Sequence, residues 1–265
     1  MRITIVTPSL NQGAYIERTI ESVLAQRGEF ELEYLIVDGG STDGTLDVLR
    51  RHDHRLTWTS GPDRGQSDAI NRGFRAARGD VLAWLNSDDV YEPGALAAAA
   101  HALRDRPRGW CFGDARVIDV DGREIRGAIS RWKRLLARHY SASLLLTSNF
   151  IPQPTVFFRR ELLEETGALD ERYHLAMDYD LWLRFARVSE PVYLGRPLAG
   201  FRWHAGSKSG ARYARMAWEA FRIAGRHARG PQRLILAEHA VHVAALTAGY
   251  RLLDALPSAR RRDEG

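Results

Sequence analysis

Along the first 106 residues, short apolar runs alternate with amphipathic stretches. Residues 3–7, 33–38, 56–60 and 80–85 are compact apolar runs, each leading into a loop rich in Gly, Asp, Ser or Pro. Runs of this length, bounded by turn residues, predict buried strands. Helical spacing fills the intervals: in 15–26, Ile16, Ile20, Val23 and Leu24 share one face, and 46–51 predicts a second helix. Ser67 or Asp68 is placed to cap a third helix that turns Ile70, Phe74 and Ala77 inward. Pro93 opens an alanine-rich helical run over 94–103. Strand and helix alternating at this spacing predict an α/β fold with a parallel, doubly wound sheet and right-handed crossovers.

Beyond Pro107 the rhythm changes. Residues 110–114 and 116–119 predict short strands, with Asp121-Gly122 as a hairpin turn. Segment 129–148 mixes Trp132, Leu135, Leu136 and the apolar run 144–146 with Arg131, Lys133, Arg134, Arg138 and His139. It reads either as a basic amphipathic segment for a membrane face or acceptor groove, or as a surface helix of the fold. A strand over 155–159 precedes a helix over 161–166 stopped by Gly167, and 177–185 predicts a helix with Asp178 in its first turn. Short strands over 192–194 and 201–204 are followed by terminal helices over 211–228 and 232–253.

Composition narrows the class. A chain of 265 residues with 45% hydrophobic and 27% charged residues is that of a soluble globular protein. One cysteine, Cys111, excludes an intrachain disulfide and a cysteine-rich zinc site, so a reducing compartment is the default. The chain starts directly into a strand without a signal peptide's apolar run, and no stretch of about 18 apolar residues predicts a membrane span. From residue 211 onward ten arginines face five acids, which accounts for the whole net charge of +5. The basic tail suits an anionic surface, either membrane lipid or nucleic acid, or else is a solvated helical face, and basic segments 129–148 and 211–265 are the candidates for peripheral membrane contact.

The chemistry concentrates in the loops that follow strands. Asp88 and Asp89 are adjacent carboxylates at the end of a predicted strand, the edge of an open α/β sheet where ligands bind. Two such acids are costly to desolvate unless a cation sits between them and an anion, and a hard divalent ion carrying a diphosphate meets that need. Asp38 ends its strand on the same edge, before Gly39-Gly40, where backbone N–H groups approach a ligand closely. The alternative for both loops is an ordinary turn with an Asp cap.

Together these loops resemble the family 2 glycosyltransferases, inverting enzymes of the GT-A fold in the nucleotide-diphospho-sugar transferase superfamily. The resemblance rests on 5–12, 37–45, 63–71, 84–89, 177–184 and 201–204, and covers about residues 2–208. It implies a GT-A catalytic domain over 1–208, with 1–106 as the nucleotide-sugar half and 107–208 as the acceptor half. Residues 209–265 form a C-terminal helical extension. Carried over by position, Thr7, Ser9, Asn11, Asp38, Gly65, Gln66, Asp68, Asn71, Asn86, Ser87 and Asp88 would bind the nucleotide-sugar. Asp88, with Asp89 and His204, would hold Mg²⁺ or Mn²⁺. Asp178 would be the catalytic base, and Gln153, Asp180 and Trp182 would face the acceptor. Gly39 stands where many relatives have a second Asp, Asn86 replaces the first acid of the metal motif, and Met177 replaces a Glu before the base.

The resemblance implies a metal-dependent transfer from a UDP-, dTDP- or GDP-linked sugar to a glycan or lipid-linked acceptor in bacterial cell-surface polysaccharide synthesis, with no nucleic acid partner. The place implied is cytoplasmic, peripheral on the inner membrane face. A sugar nucleotidyltransferase would need a basic, Gly-rich loop after the first strand, and 8–13 contains no Lys or Arg. A non-catalytic nucleotide-sugar-binding module would keep Asp38 and Asp88 without needing Asp178. In the inverting reading, one acid holds metal while another takes the acceptor proton, and the dipole at a helix N-terminus would keep Asp178 ionised.

Overall fold

The computed structural model describes residues 1–204 and 213–234 and, beyond them, 236–237, 239–241 and 243–244. In its first half β1 (Arg2–Ser9), α1 (Ile16–Leu24), β2 (Glu31–Asp38), α2 (Thr45–Arg51), β3 (Thr57–Ser60), α3 (Gln66–Ala76) and β4 (Val81–Trp84) follow one another. β5 (Val90–Tyr91) and α4 (Ala95–Leu103) complete it. The second half holds β6 (Trp110–Ile118), β7 (Glu124–Ile125), α5 (Gly127–Arg138), α6 (Ala142–Thr147), β8 (Phe157–Arg159) and α7 (Arg160–Thr166). α8 (Met177–Phe185), β9 (Val192–Arg202) and α9 (Tyr213–His227) follow.

One mixed sheet runs in the order β3-β2-β1-β4-β8-β6-β9-β5, with β7 paired on β6. The expected parallel pattern holds for β1 with β2, β1 with β4 and β2 with β3. From β8 onward it gives way: β8 is antiparallel to both β4 and β6, while β6 and β9 are parallel. Side chains alternate across the strands, so the parallel half buries both faces. Ile3, Ile5, Ile36, Val81 and Ala83 pack under α1, α2 and α4, whereas Val6, Leu35, Leu82 and Trp84 pack with α3 and α8.

Three local expectations change. α3 has no side-chain cap: it starts at Gln66 behind Gly65, whose φ of 115° only glycine adopts without strain. Asp68 instead sits in its first turn. The strands predicted over 110–114 and 116–119 are one strand, β6, whose register with β9 shifts around Asp114. Those predicted over 192–194 and 201–204 are likewise one, β9. Segment 129–148 lies within α5, α6 and their flanks. α9 joins the main core through Ala220, Ile223 and Ala224, which pack in the cluster containing Trp182 and Phe185. The helix expected over 232–253 lies largely outside the described residues, and among those described no helix is long and apolar enough to cross a membrane.

Candidate active site

The C-terminal ends of the parallel strands open onto one cleft of about 810 Å³. Ser9, Gln12, Asp63, Gly65 and Gln66 line it from the loops after β1 and β3, and Asn86, Ser87 and Asp88 from the loop after β4. Lys133, Asn149, Gln153 and Asp178 line it from the second half, and His204 comes from the end of β9. Asp88 and Asp178, 90 residues apart in the chain, therefore share a cavity.

The loop carrying Asp88 is held from several sides. Thr19 on α1 donates to the carbonyls of Ser87 and Asp89 at 2.9 and 2.7 Å. The guanidinium of Arg202, only 2% exposed, donates to the carbonyls of Asp88 (2.8 Å), Asp119 (2.6 Å) and Val120 (2.9 Å). Asn86 accepts from Gln66 at 2.7 Å and donates to Gln153 at 3.2 Å, while Gln153 donates to the carbonyl of Trp84 at 2.8 Å. The side chains of Asn86, Gln66 and Gln153 thus brace one another across the floor.

The two acids of the loop diverge. Asp88 Oδ2 faces His204 Nε2 at 3.2 Å, and the His204 ring lies 4.9 Å from that of Tyr15. Asp89 is fully buried and turned away from the cleft, accepting from the Arg202 backbone N–H at 2.8 Å and from Asn86 at 3.2 Å. Burial, with the negative charge of Asp88 second, raises its pKa well above the carboxylate range. The metal role expected of Asp89 is therefore not supported by its position: it is a brace. Asp88 and His204 are the two facing groups that could hold a cation, and no group of three possible metal-binding side chains forms among the described residues. A divalent ion that arrives with a diphosphate needs only one or two protein ligands, and an oxygen and an imidazole nitrogen facing each other fit it.

Asp178 opens α8 as expected, but its electrostatics differ from a simple dipole effect. Burial raises its pKa, and the Tyr179 backbone N–H, the Asn149 amide and the Lys133 charge oppose that shift without cancelling it. Burial in turn lowers the pKa of Lys133, against the pull of Asp178. A carboxylate of raised basicity in a cleft is suited to taking a proton. Its loop is anchored from outside the predicted domain. Glu219 on α9 accepts from the backbone N–H groups of His174, Leu175 and Ala176 at 3.1, 2.8 and 2.8 Å.

Several expected site residues lie elsewhere. Asp38 is 1% exposed and its carboxylate is saturated by the Gly40 and Ser41 N–H groups and the Ser41 and Ser60 hydroxyls, so it shapes its loop instead of facing the cleft. Thr7 is buried beside the Tyr34 hydroxyl at 3.1 Å, and Asn11, with φ of 53°, accepts from Thr42 N–H. Asp68 pairs with Arg64 and Arg72, and its pKa falls to about 2, with the Arg64 hydrogen bond as the largest cause. Asn71 exchanges hydrogen bonds with the backbone of Leu169. On the acceptor side, Trp182 is fully buried, stacked between Trp84 at 5.4 Å and Trp110 at 5.9 Å. Asp180 pairs with Arg184 at 2.9 Å and His227 at 2.8 Å. Of the acceptor set only Gln153 reaches the cleft.

The structure adds Asp63, Lys133 and Asn149 to the lining, and Arg202 and Glu219 to its supports. A Cβ on Gly39 would stand 2.6 Å from Asp63 Oδ2, so Asp63 fills the space that a second Asp would take at residue 39. Residues 63 and 133 lay within segments already singled out in the sequence, whereas nothing local marked Glu219.

Residues 4–167 match the family model described as Glycosyl transferase family 2. A glycosyltransferase of Mycobacterium tuberculosis, named as uncharacterized, is 32% identical over 195 residues, covering 72% of this chain and 71% of that protein. A PGL/p-HBAD biosynthesis glycosyltransferase of Mycobacterium bovis is 33% identical over 188 residues, 68% of each. In fold the chain is similar to S. aureus TarS in complex with UDP-GlcNAc, with a TM-score of 0.67, 19% identity and coverage of 90% of this chain and 71% of that one. It is also similar to mannosyltransferase PcManGT from Pyrobaculum calidifontis in complex with GDP-Man and Mn²⁺, with a TM-score of 0.64, 21% identity and coverage of 98% and 82%. The match over 4–167, together with these relatives, establishes that the chain belongs to glycosyl transferase family 2 and is a glycosyltransferase of the GT-A fold.

Proposed function

We propose that this glycosyltransferase moves a sugar, with inversion, from a nucleotide-diphospho-sugar to a hydroxyl of a glycan or lipid-linked acceptor. The observation that carries this reading is the single cleft lined by both the Asp88–His204 pair and Asp178. Inversion needs the acceptor oxygen to attack the anomeric carbon opposite the departing diphosphate. Asp178 takes the hydroxyl proton as the new bond forms, a contribution of about 10²–10⁴-fold. Asn149 hydrogen-bonds its carboxylate, and the Lys133 charge favours the ionised form. Ser9, Gly65, Gln66, Asn86 and Ser87 bind the nucleotide-sugar, and Gln153, fixed to Asn86, faces the reacting sugar.

Asp88 and His204 would hold Mg²⁺ or Mn²⁺, which when bound neutralises charge gathering on the leaving diphosphate. Solved relatives in fold carry UDP-GlcNAc, or GDP-Man with Mn²⁺, which supports a nucleotide-sugar donor and a divalent ion. The basic segments favour work at an anionic membrane face, and a glycolipid-pathway relative points the same way.

The test is Asp178→Asn with a panel of UDP-, dTDP- and GDP-sugars and Mn²⁺. The variant keeps the nucleotide affinity of the natural chain and loses transfer by at least about a hundredfold. Undiminished transfer removes Asp178 from the base role, and retained anomeric configuration in the product overturns inversion.

A further inference from the structure

We infer that the part of the cleft walled by α5 and α9 binds a hydrophobic aglycone of the acceptor, such as an acyl, aryl or polyprenyl chain, with the acceptor role resting on the transfer reading above. The two ends of the cleft differ in chemistry. The donor end presents Ser9, Asp63, Gln66, Asn86 and Asp88, groups that hydrogen-bond sugar and phosphate oxygens. The far end presents Ala137 of α5, Ile151, Met177 of α8, and Met216, Ala217 and Ala220 of α9. Asp178 and Lys133 also line the cleft, so the reacting hydroxyl and the apolar wall belong to one cavity.

Thr147, Ser148 and His174 also line this half of the cleft, but a hydroxyl set against the methyl groups and thioethers themselves loses its hydration without finding a partner. A hydrocarbon chain gains instead, about a factor of four in affinity for each fully buried methylene. The small side chains at 217 and 220 leave room along α9. The wall also leads outward: Ile129 and Trp132, one turn apart on α5, both line the cleft while 40% and 42% exposed. Exposed Arg131 stands between them in the chain, so the apolar rim emerges beside positive charge, as suits an amphiphile presented from an anionic surface.

Calorimetric titration of the full chain with methyl β-D-glucoside and with octyl β-D-glucoside, kept below micelle formation, tests this. Octyl glucoside is expected to bind at least about 50-fold more tightly, as three buried methylenes suffice to produce. Ala217→Trp fills the compartment and Met216→Glu charges it. Both residues are partly exposed, so the fold is expected to tolerate each change. Either variant brings octyl glucoside within about threefold of the methyl compound while Mn²⁺-dependent binding of UDP, dTDP or GDP stays unchanged.

Equal affinity for the two glucosides, or an octyl preference surviving in both variants, overturns the compartment. Nucleotide binding in the same titrations separates the two ideas. Nucleotide bound without octyl preference sinks the compartment alone, whereas octyl preference without any nucleotide binding overturns the transfer reading and the acceptor role with it. A dimer that octyl glucoside splits would assign the wall to a second copy and overturn the aglycone.

Discussion

Arg202→Met tests whether the loop of Asp88 depends on a single buried cation. The guanidinium is 2% exposed and donates to three carbonyls, those of Asp88, Asp119 and Val120. Methionine fills much of the volume but leaves the Asp88 carbonyl without its donor, while Asp119 keeps the Gly122 N–H and Val120 keeps Arg18, and it removes a positive charge that acts on Asp89. Losing a buried guanidinium with three charge-assisted hydrogen bonds costs about 4 kcal/mol. In a chain of this size that lowers Tm by roughly 8–16 °C. The loop loses its side-chain tie to β9 and keeps only the Arg202 backbone N–H on Asp89, so the alignment of Asp88 with His204 loosens and Mn²⁺-dependent nucleotide affinity falls at least tenfold. Arg202→Lys is expected to fail in the same direction, because one ammonium cannot span three carbonyls as the planar fork does. Urea unfolding followed by tryptophan emission, with calorimetry of nucleotide binding, reads both effects. A loss under 1 kcal/mol with nucleotide affinity intact refutes the reasoning.

Other outcomes follow from the same geometry. Because burial raises the Asp178 pKa, the acid limb of kcat/KM is expected above the ordinary carboxylate value of about 3.9, and Lys133→Met moves it higher by removing the opposing cation; a limb at the ordinary value in both proteins contradicts this. The same shift makes ionised Asp178 a cost to the fold: a carboxyl with a raised folded-state pKa loses stability as pH climbs from its unfolded value toward its folded one. Asp178→Asn is therefore expected to raise Tm more at pH 8 than at pH 4, checked by scanning calorimetry. Glu219→Ala strands three N–H groups beside the base, costing about 2 kcal/mol and lowering kcat more than nucleotide affinity, while Glu219→Gln keeps an acceptor oxygen and retains most activity. Chelation by EDTA, or His204→Ala, weakens nucleoside diphosphate binding at least tenfold, and an unchanged Kd rules out a metal at Asp88 and His204.

How much was legible in the sequence depends on the range of the interactions. The parallel half was readable because strands buried on both faces are continuous apolar runs, and α8 runs over Met177–Phe185 as its pattern predicts. β8 falls within the strand expected over 155–159, but its antiparallel pairing was not readable, since pairing direction leaves no mark on a strand of three residues. Among the expected site residues, Asp88, Gln66 and Asp178, read from loops at strand ends and a helix start, line the cleft. Asp38 and Asp68 instead have their carboxylates paired within their own loops, and a saturated carboxylate and a ligand-facing one look alike in sequence. Trp182, expected at the acceptor, instead stacks in the core between Trp84 and Trp110. Arg202 and Glu219 act across 114 and 43–45 residues, beyond any local pattern.

The three indoles layered as Trp84, Trp182 and Trp110 have a practical consequence. Chromophores this close couple electronically, so the native molecule is expected to show a strong near-ultraviolet dichroic band that vanishes when the layers slip apart. Trp84 also borders the cleft, with its indole N–H unbonded among the described residues. Occupancy of the cavity thus becomes visible to a spectropolarimeter without any dye, tag or coupled enzyme.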